Sequence, residues 1–248
     1  MKNVLATLLL HPRRTVSVDS LVTEVWWTHP PRTACATIQT YIYQLRRLLA
    51  EIGGSEAAEM LVTDGAGYRI DVADDRLDYT RFENGYQRGK ELLRAGRCGE
   101  ASEVLADALR LWRGKPFADV GLSPLFGSEV IRMEEQRGAA LRFRIDADLQ
   151  NGRDLELIPE LRHLVRAEPF DEWLHGRLLT ALIRAGRRAD ALQAYQDARR
   201  ALRELGLTPS ADLETLHIQA LKGEIPTTRN EADRVPFTPT LVRSEFAG

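Results

Sequence analysis

RTACATIQTYIYQLRRLLA, residues 32–50, reads as a helix with two faces. Ile38, Ile42, Leu45 and Leu49 recur at helical spacing and form one apolar stripe. Rotated away from it lie Thr37, Thr40, Tyr41, Gln44 and Arg47, hydrogen-bonding side chains at i, i+3, i+4, i+7 and i+10. The stretch holds Arg32, Arg46 and Arg47 and no acid, which suits a phosphate-lined groove. A polar helix face is commonplace on its own, so the flanking sequence decides what this one is for.

Upstream, Ser17 is placed to cap a helix carrying Leu21, Val22, Val25 and Trp26, with Asp19 in its first turn. Thr28-His29-Pro30-Pro31 then stops that helix and redirects the chain into the next. Downstream, Leu61-Val62-Thr63 and Tyr68-Arg69-Ile70 flank Asp64-Gly65-Ala66-Gly67, whose glycines allow a tight hairpin turn. A helix, a turn, a second helix and a hairpin make a winged helix-turn-helix, with residues 32–50 as its reader.

These motifs resemble the OmpR/PhoB-type winged helix of the Streptomyces antibiotic regulatory protein (SARP) family. LDYTRFENGYQRGKELLRAGRCGEASEVLADALRLWRG, from Leu77, is similar to the opening of the bacterial transcriptional activation domain that follows the winged helix in that family. The resemblance extends to about Leu221. It implies a transcriptional activator of a secondary-metabolite (antibiotic) gene cluster that binds direct repeats in promoter double-stranded DNA and recruits RNA polymerase through its sigma factor. Tandem sites would favour a homodimer on DNA. Family members begin with several strands, whereas this sequence opens apparently within the first helix. The expectation is a head lacking its N-terminal sheet, with an exposed apolar flank on Val4, Leu5, Leu8 and Leu9.

The second half reads as an α-helical array. Asp78 opens a helix carrying Phe82, Tyr86 and Leu93, and after Gly96 another carries Ala101, Leu105, Ala108 and Trp112. Ala-Gly-Arg or Asn-Gly-Arg recurs at 95–97, 151–153 and 185–187, each time between helical stretches. Gly152 and Gly186 lie one tetratricopeptide period apart, about 34 residues. An irregular Arg113–Leu125 segment and a long helix through Phe143 and Leu149 absorb the wider first spacing. Trp112, Phe126, Phe143, Phe170, Trp173 and Tyr195 are read as core between stacked helices. The fold class is therefore mainly α: a winged helix over 1–72, a tetratricopeptide-like domain over 77–222, and an extended or disordered tail over 223–248.

Composition agrees with a globular protein. The 248 residues are 44% hydrophobic and 28% charged, enough to bury one or two cores. The longest apolar run, Val4–Leu10, is too short for a membrane span and makes a poor signal peptide, so a cytoplasmic protein is expected. Cys35 and Cys98 fit a reducing compartment. Net charge is −2, yet residues 1–50 carry +4, a small basic reader on a mildly acidic body. Enzymatic motifs are wanting: Gly65-Ala66-Gly67 lacks a third glycine, Gly89-Lys90 and Gly114-Lys115 lack the rest of a phosphate loop, and the histidines are scattered singly. No catalytic role, cofactor or metal is expected.

On the residues alone, Thr37, Thr40, Tyr41 and Gln44 are assigned to the major groove, Gln44 with the reach to pair bidentately with an adenine edge. Arg46 and Arg47 are assigned to phosphates, and Arg32, Thr63 and Arg69 to further backbone contacts. The competing reading is a protein-interaction module whose truncated head does not bind DNA.

Overall fold

The computed structural model describes residues 1–121 and 123–226, with the side chains of Pro124 and Leu125 left aside. Most of the tail expected from Gly223 lies outside these residues. In chain order, α1 (Lys2–Leu10), β1 (Val16–Ser17), α2 (Val18–Trp26), α3 (Ala34–Glu59), β2 (Leu61–Asp64) and β3 (Gly67–Ile70) are followed by a 3-10 turn, Asp74–Arg76. Then come α4 (Asp78–Arg94), α5 (Cys98–Arg110), α6 (Pro124–Gln150), α7 (Asp154–Ala167), α8 (Glu172–Arg184), α9 (Arg188–Glu204) and α10 (Ala211–Lys222). Two compact units result, the first Met1–Gln87 with Ala106–Ala140, the second Arg88–Leu105 with the chain from Leu141 on.

In the first unit, the apolar stripes of three helices meet over a small sheet. Val4 and Leu8 of α1, Leu21 of α2, and Ile38, Ile42 and Leu45 of α3 bury against Val16, Leu61, Tyr68 and Ile70. At about 25 cal/mol per Å² of apolar surface, each fully buried Leu or Ile contributes roughly 1.5–3 kcal/mol, so this cluster locks the rotation of α3. The sheet runs β1-β3-β2, all antiparallel, with Leu61 opposite Ile70 and Asp64 opposite Gly67. The exposed flank expected on α1 is not seen: Val4 and Leu8 are fully buried, and Leu5 and Leu9 pack against the cluster. The segment after α5 reaches the start of α1, where Lys2 pairs with Asp119 at 2.6 Å and Asn3 Nδ2 donates to the Gly121 carbonyl at 3.2 Å.

In the second unit, α8 is the central helix, buried along nearly its whole length from Leu174 to Ile183. It packs with Ile145 and Leu149 of α6, Leu157, Ile158 and Leu161 of α7, Ala191 of α9 and Ala220 of α10. Gly96, Gly152 and Gly186 all take left-handed φ near +70° at helix ends, the backbone state that stops one helix and starts the next. Asp171 caps α8 by accepting from the Trp173 and Leu174 amides. Of the aromatics expected in the core, Phe126 and Tyr195 are buried, while Phe170 is 44% exposed at the turn into α8.

Candidate nucleic-acid interface

α3 is positioned from both ends. Ser17 Oγ accepts from the Ser20 amide at 3.1 Å and fixes the start of α2. Trp27, with φ +52° and its amide bonded to the Thr23 carbonyl at 2.7 Å, ends α2 and turns the chain. The Pro31 carbonyl then accepts from the Ala34 amide at 2.9 Å as α3 begins. At Gly54, φ +76° breaks the helix and leads the chain into the wing.

The solvent side of α3 presents Gln39, Thr40, Tyr43, Gln44 and Arg47 together, all exposed. Tyr43 is 67% exposed and Gln44 has no hydrogen-bond partner among the described residues. The Thr40 hydroxyl donates to the Ala36 carbonyl and the Thr37 hydroxyl to the Thr33 carbonyl, each at 3.0 Å, which leaves their oxygens as acceptors. Thr37 is half-buried. Arg47 meets only Glu51, at 3.0 Å, with both side chains more than half exposed. Exposed pairs at this spacing are worth about 0.3–0.5 kcal/mol, so Glu51 holds Arg47 only weakly.

Other residues singled out in the sequence lie elsewhere. Tyr41 packs against the head core rather than standing on the solvent side. Its position follows from spacing: three residues after Ile38 and four before Leu45, it belongs to the buried stripe, and Tyr43 takes the outward place. Arg46 lies against the wing, donating to the Leu61 carbonyl through Nε at 2.9 Å and Nη2 at 2.8 Å, and to Thr63 Oγ1 at 2.9 Å. Arg69 is held by Asp71, at 2.7 and 3.0 Å, and by Asp64 at 3.0 Å. The Asp71 hydrogen bonds raise the Arg69 pKa and hold the Asp71 carboxyl below its usual range. Arg32 is exposed at the turn before α3, with no partner among the described residues.

At the wing tip, Gly65 (φ +56°) and Ala66 connect β2 to β3. A Cβ on Gly67 would run into the Val16 carbonyl oxygen, so only glycine lets β1 pair there.

Residues 2–70 match the family model described as transcriptional regulatory protein, C terminal, and residues 77–221 match the bacterial transcriptional activator domain. The chain is a member of the SARP family. Like other SARP chains it joins a winged-helix DNA-binding head to a helical activator domain, the architecture of a transcriptional regulator. Regulatory protein DnrI of Streptomyces peucetius is 37% identical over 234 residues, 92% of this chain and 86% of that protein. Regulatory protein AfsR of Streptomyces griseus is 33% identical over 96% of this chain but only 24% of its own length. A solved structure of Mycobacterium tuberculosis EmbR in complex with a low-affinity phosphopeptide superposes with a TM-score of 0.79 at 31% identity, covering 93% of this chain and 60% of that one. No described helix is long and apolar enough to cross a membrane.

Proposed function

We propose that this protein is a pathway-specific activator, working in the cytoplasm on promoter DNA of a secondary-metabolite gene cluster. The observation that carries the reading is the exposed side of α3: Thr40, Tyr43, Gln44 and Arg47 share it on a helix whose opposite side is locked into a core. Gln44 reads an adenine through its N6 and N7, Thr40 and Tyr43 touch neighbouring base edges, and Thr37 serves at the helix start. Arg47 and Arg32 hold phosphates, which set register without carrying sequence. Arg46 and Thr63 act indirectly by fixing the wing to α3, Arg69 keeps the wing strands in place, and Tyr41 supports the core.

The positive charge, +4 and confined to residues 1–50, gives one site little affinity, so two copies bind adjacent direct repeats and together present RNA polymerase and its sigma factor with an activating surface. DNase I footprinting on promoters of the gene's neighbourhood tests this. Two protected half-sites in the same orientation, spaced by whole helical turns of about 10–10.5 bp, with a matching rise in run-off transcription by RNA polymerase, are expected. A lack of protection by a folded protein would favour the interaction module without a working head.

A further inference from the structure

The segment after α5 does more than connect two helices. With the start of α4 and part of α6 it lines a half-open cavity of about 310 Å³, walled by Tyr79, Phe82, Trp112, Phe117 and Met133. Ligand sites begin at roughly this size, which suits a two-ring molecule better than a larger one. The aromatic walls are already organised: Phe82 meets Trp112 edge-on at 5.2 Å, and the Arg137 guanidinium stands 5.2 Å from the Trp112 ring centre.

The polar groups in this wall are unequally satisfied. Asp78, at the rim, pairs with Arg113 at 3.0 Å and accepts from the Tyr79 amide at 2.9 Å. The Tyr79 hydroxyl is engaged by Arg132 and lies 3.5 Å from Glu129. Two side chains of the lining differ from these. Trp112 Nε1 is buried without a hydrogen-bond partner, and the exposed Lys115 ammonium at the mouth has none among the described residues. A buried N–H without a partner destabilises the fold, a deficit that a ligand acceptor would remove. Flat apolar walls, with an unsatisfied indole donor among them and an unpaired cation in the lining, describe a receptor for a small aromatic carboxylate.

We infer that this cavity is an effector site for a planar aromatic carboxylate, its rings against the wall formed by Phe82, Trp112 and Phe117 and its carboxylate at Lys115. The regulatory part rests on the DNA-binding reading. Residues 113–117 of the wall continue into Asp119, Gly121 and Ser123, which bond Lys2, Asn3 and Glu24 of the head. A ligand that orders the wall therefore acts on the contacts supporting α1 and α2.

The test uses the full chain with 2-naphthoate as probe and 2-naphthylmethanol as its neutral counterpart, by isothermal titration calorimetry without DNA. Saturable one-to-one binding of the carboxylate is expected, with the alcohol at least tenfold weaker. Lys115→Ala, at an exposed position that does not disturb folding, should weaken the carboxylate about tenfold and leave the alcohol within twofold. Hydrogen exchange should slow in residues 111–123. No saturable binding at millimolar probe, equal binding of acid and alcohol, or protection only outside this segment would each overturn the site. Promoter affinity is then measured with and without saturating probe. A shift of threefold or more is expected, and an unchanged affinity overturns the regulatory part alone. Because the calorimetry involves no DNA, failure of the site and failure of the DNA-binding reading are distinguishable.

Discussion

Replacing Arg46 by alanine strips the Leu61 carbonyl of both its guanidinium hydrogen bonds and Thr63 of one. A half-buried carbonyl deprived of its partners costs about 1–3 kcal/mol, so Arg46→Ala should lower the melting temperature by several degrees. Its DNA binding should recover on cooling. Arg47→Ala, one residue on, loses only an exposed pair and should melt like the parent while binding every DNA sequence more weakly. Differential scanning calorimetry of the two variants checks the contrast, and equal melting temperatures would show that Arg46 does not hold the wing. These neighbours looked alike in the sequence, because the partner that separates them, Leu61, lies fifteen positions away. Tyr41 and Tyr43, by contrast, are separable by local spacing, because Ile38 and Leu45 bracket position 41 on the buried stripe.

At the scale of elements, the wing depends on two glycines for different reasons. Gly67→Ala drives a methyl group against the Val16 carbonyl and should detach β1 from β3, with loss of cooperative unfolding in the head. Gly65→Ala meets no atom within 4 Å and asks only for a left-handed φ, so it should cost about 1–2 kcal/mol with the wing intact. Urea unfolding followed by circular dichroism ranks them, and an equal cost would contradict the close approach of β1. The hairpin, the Ser17 cap, the Pro-Pro turn and the three glycine helix stops were legible because each depends on residues close in sequence. β1 was not: two residues that pair with Gly67 and Tyr68 some fifty positions on carry no local pattern. The cover over α1 was hidden for the same reason, since Asp119 and Gly121 reach Lys2 and Asn3 across more than a hundred residues.

For the whole molecule, stability against pH has one clear signature in the second unit. Burial raises the Tyr195 pKa to about 12, helped by the Glu214 carboxylate at 2.6 Å. In the unfolded chain the phenol ionises near 10, so Tyr195 adds stability that is complete below that pH and is lost as pH rises from about 10 through about 12. Tyr195→Phe should flatten that part of the stability curve, and an unchanged slope would remove the assignment. The uneven charge distribution predicts a second global property: DNA affinity that falls with salt, through residues 1–50, which carry +4 on a chain of net −2.

The claim that the exposed side of α3 reads bases is tested most directly by fluorescence anisotropy on promoter and scrambled duplexes across a salt series, with parent, Gln44→Ala and Arg47→Ala proteins. Gln44→Ala should lose about 1–3 kcal/mol of preference for the promoter with its salt slope unchanged. Arg47→Ala should bind both duplexes more weakly, with a slope shallower by about 0.9. Equal losses on promoter and scrambled DNA in both variants, or parent-like preference in Gln44→Ala, would contradict it.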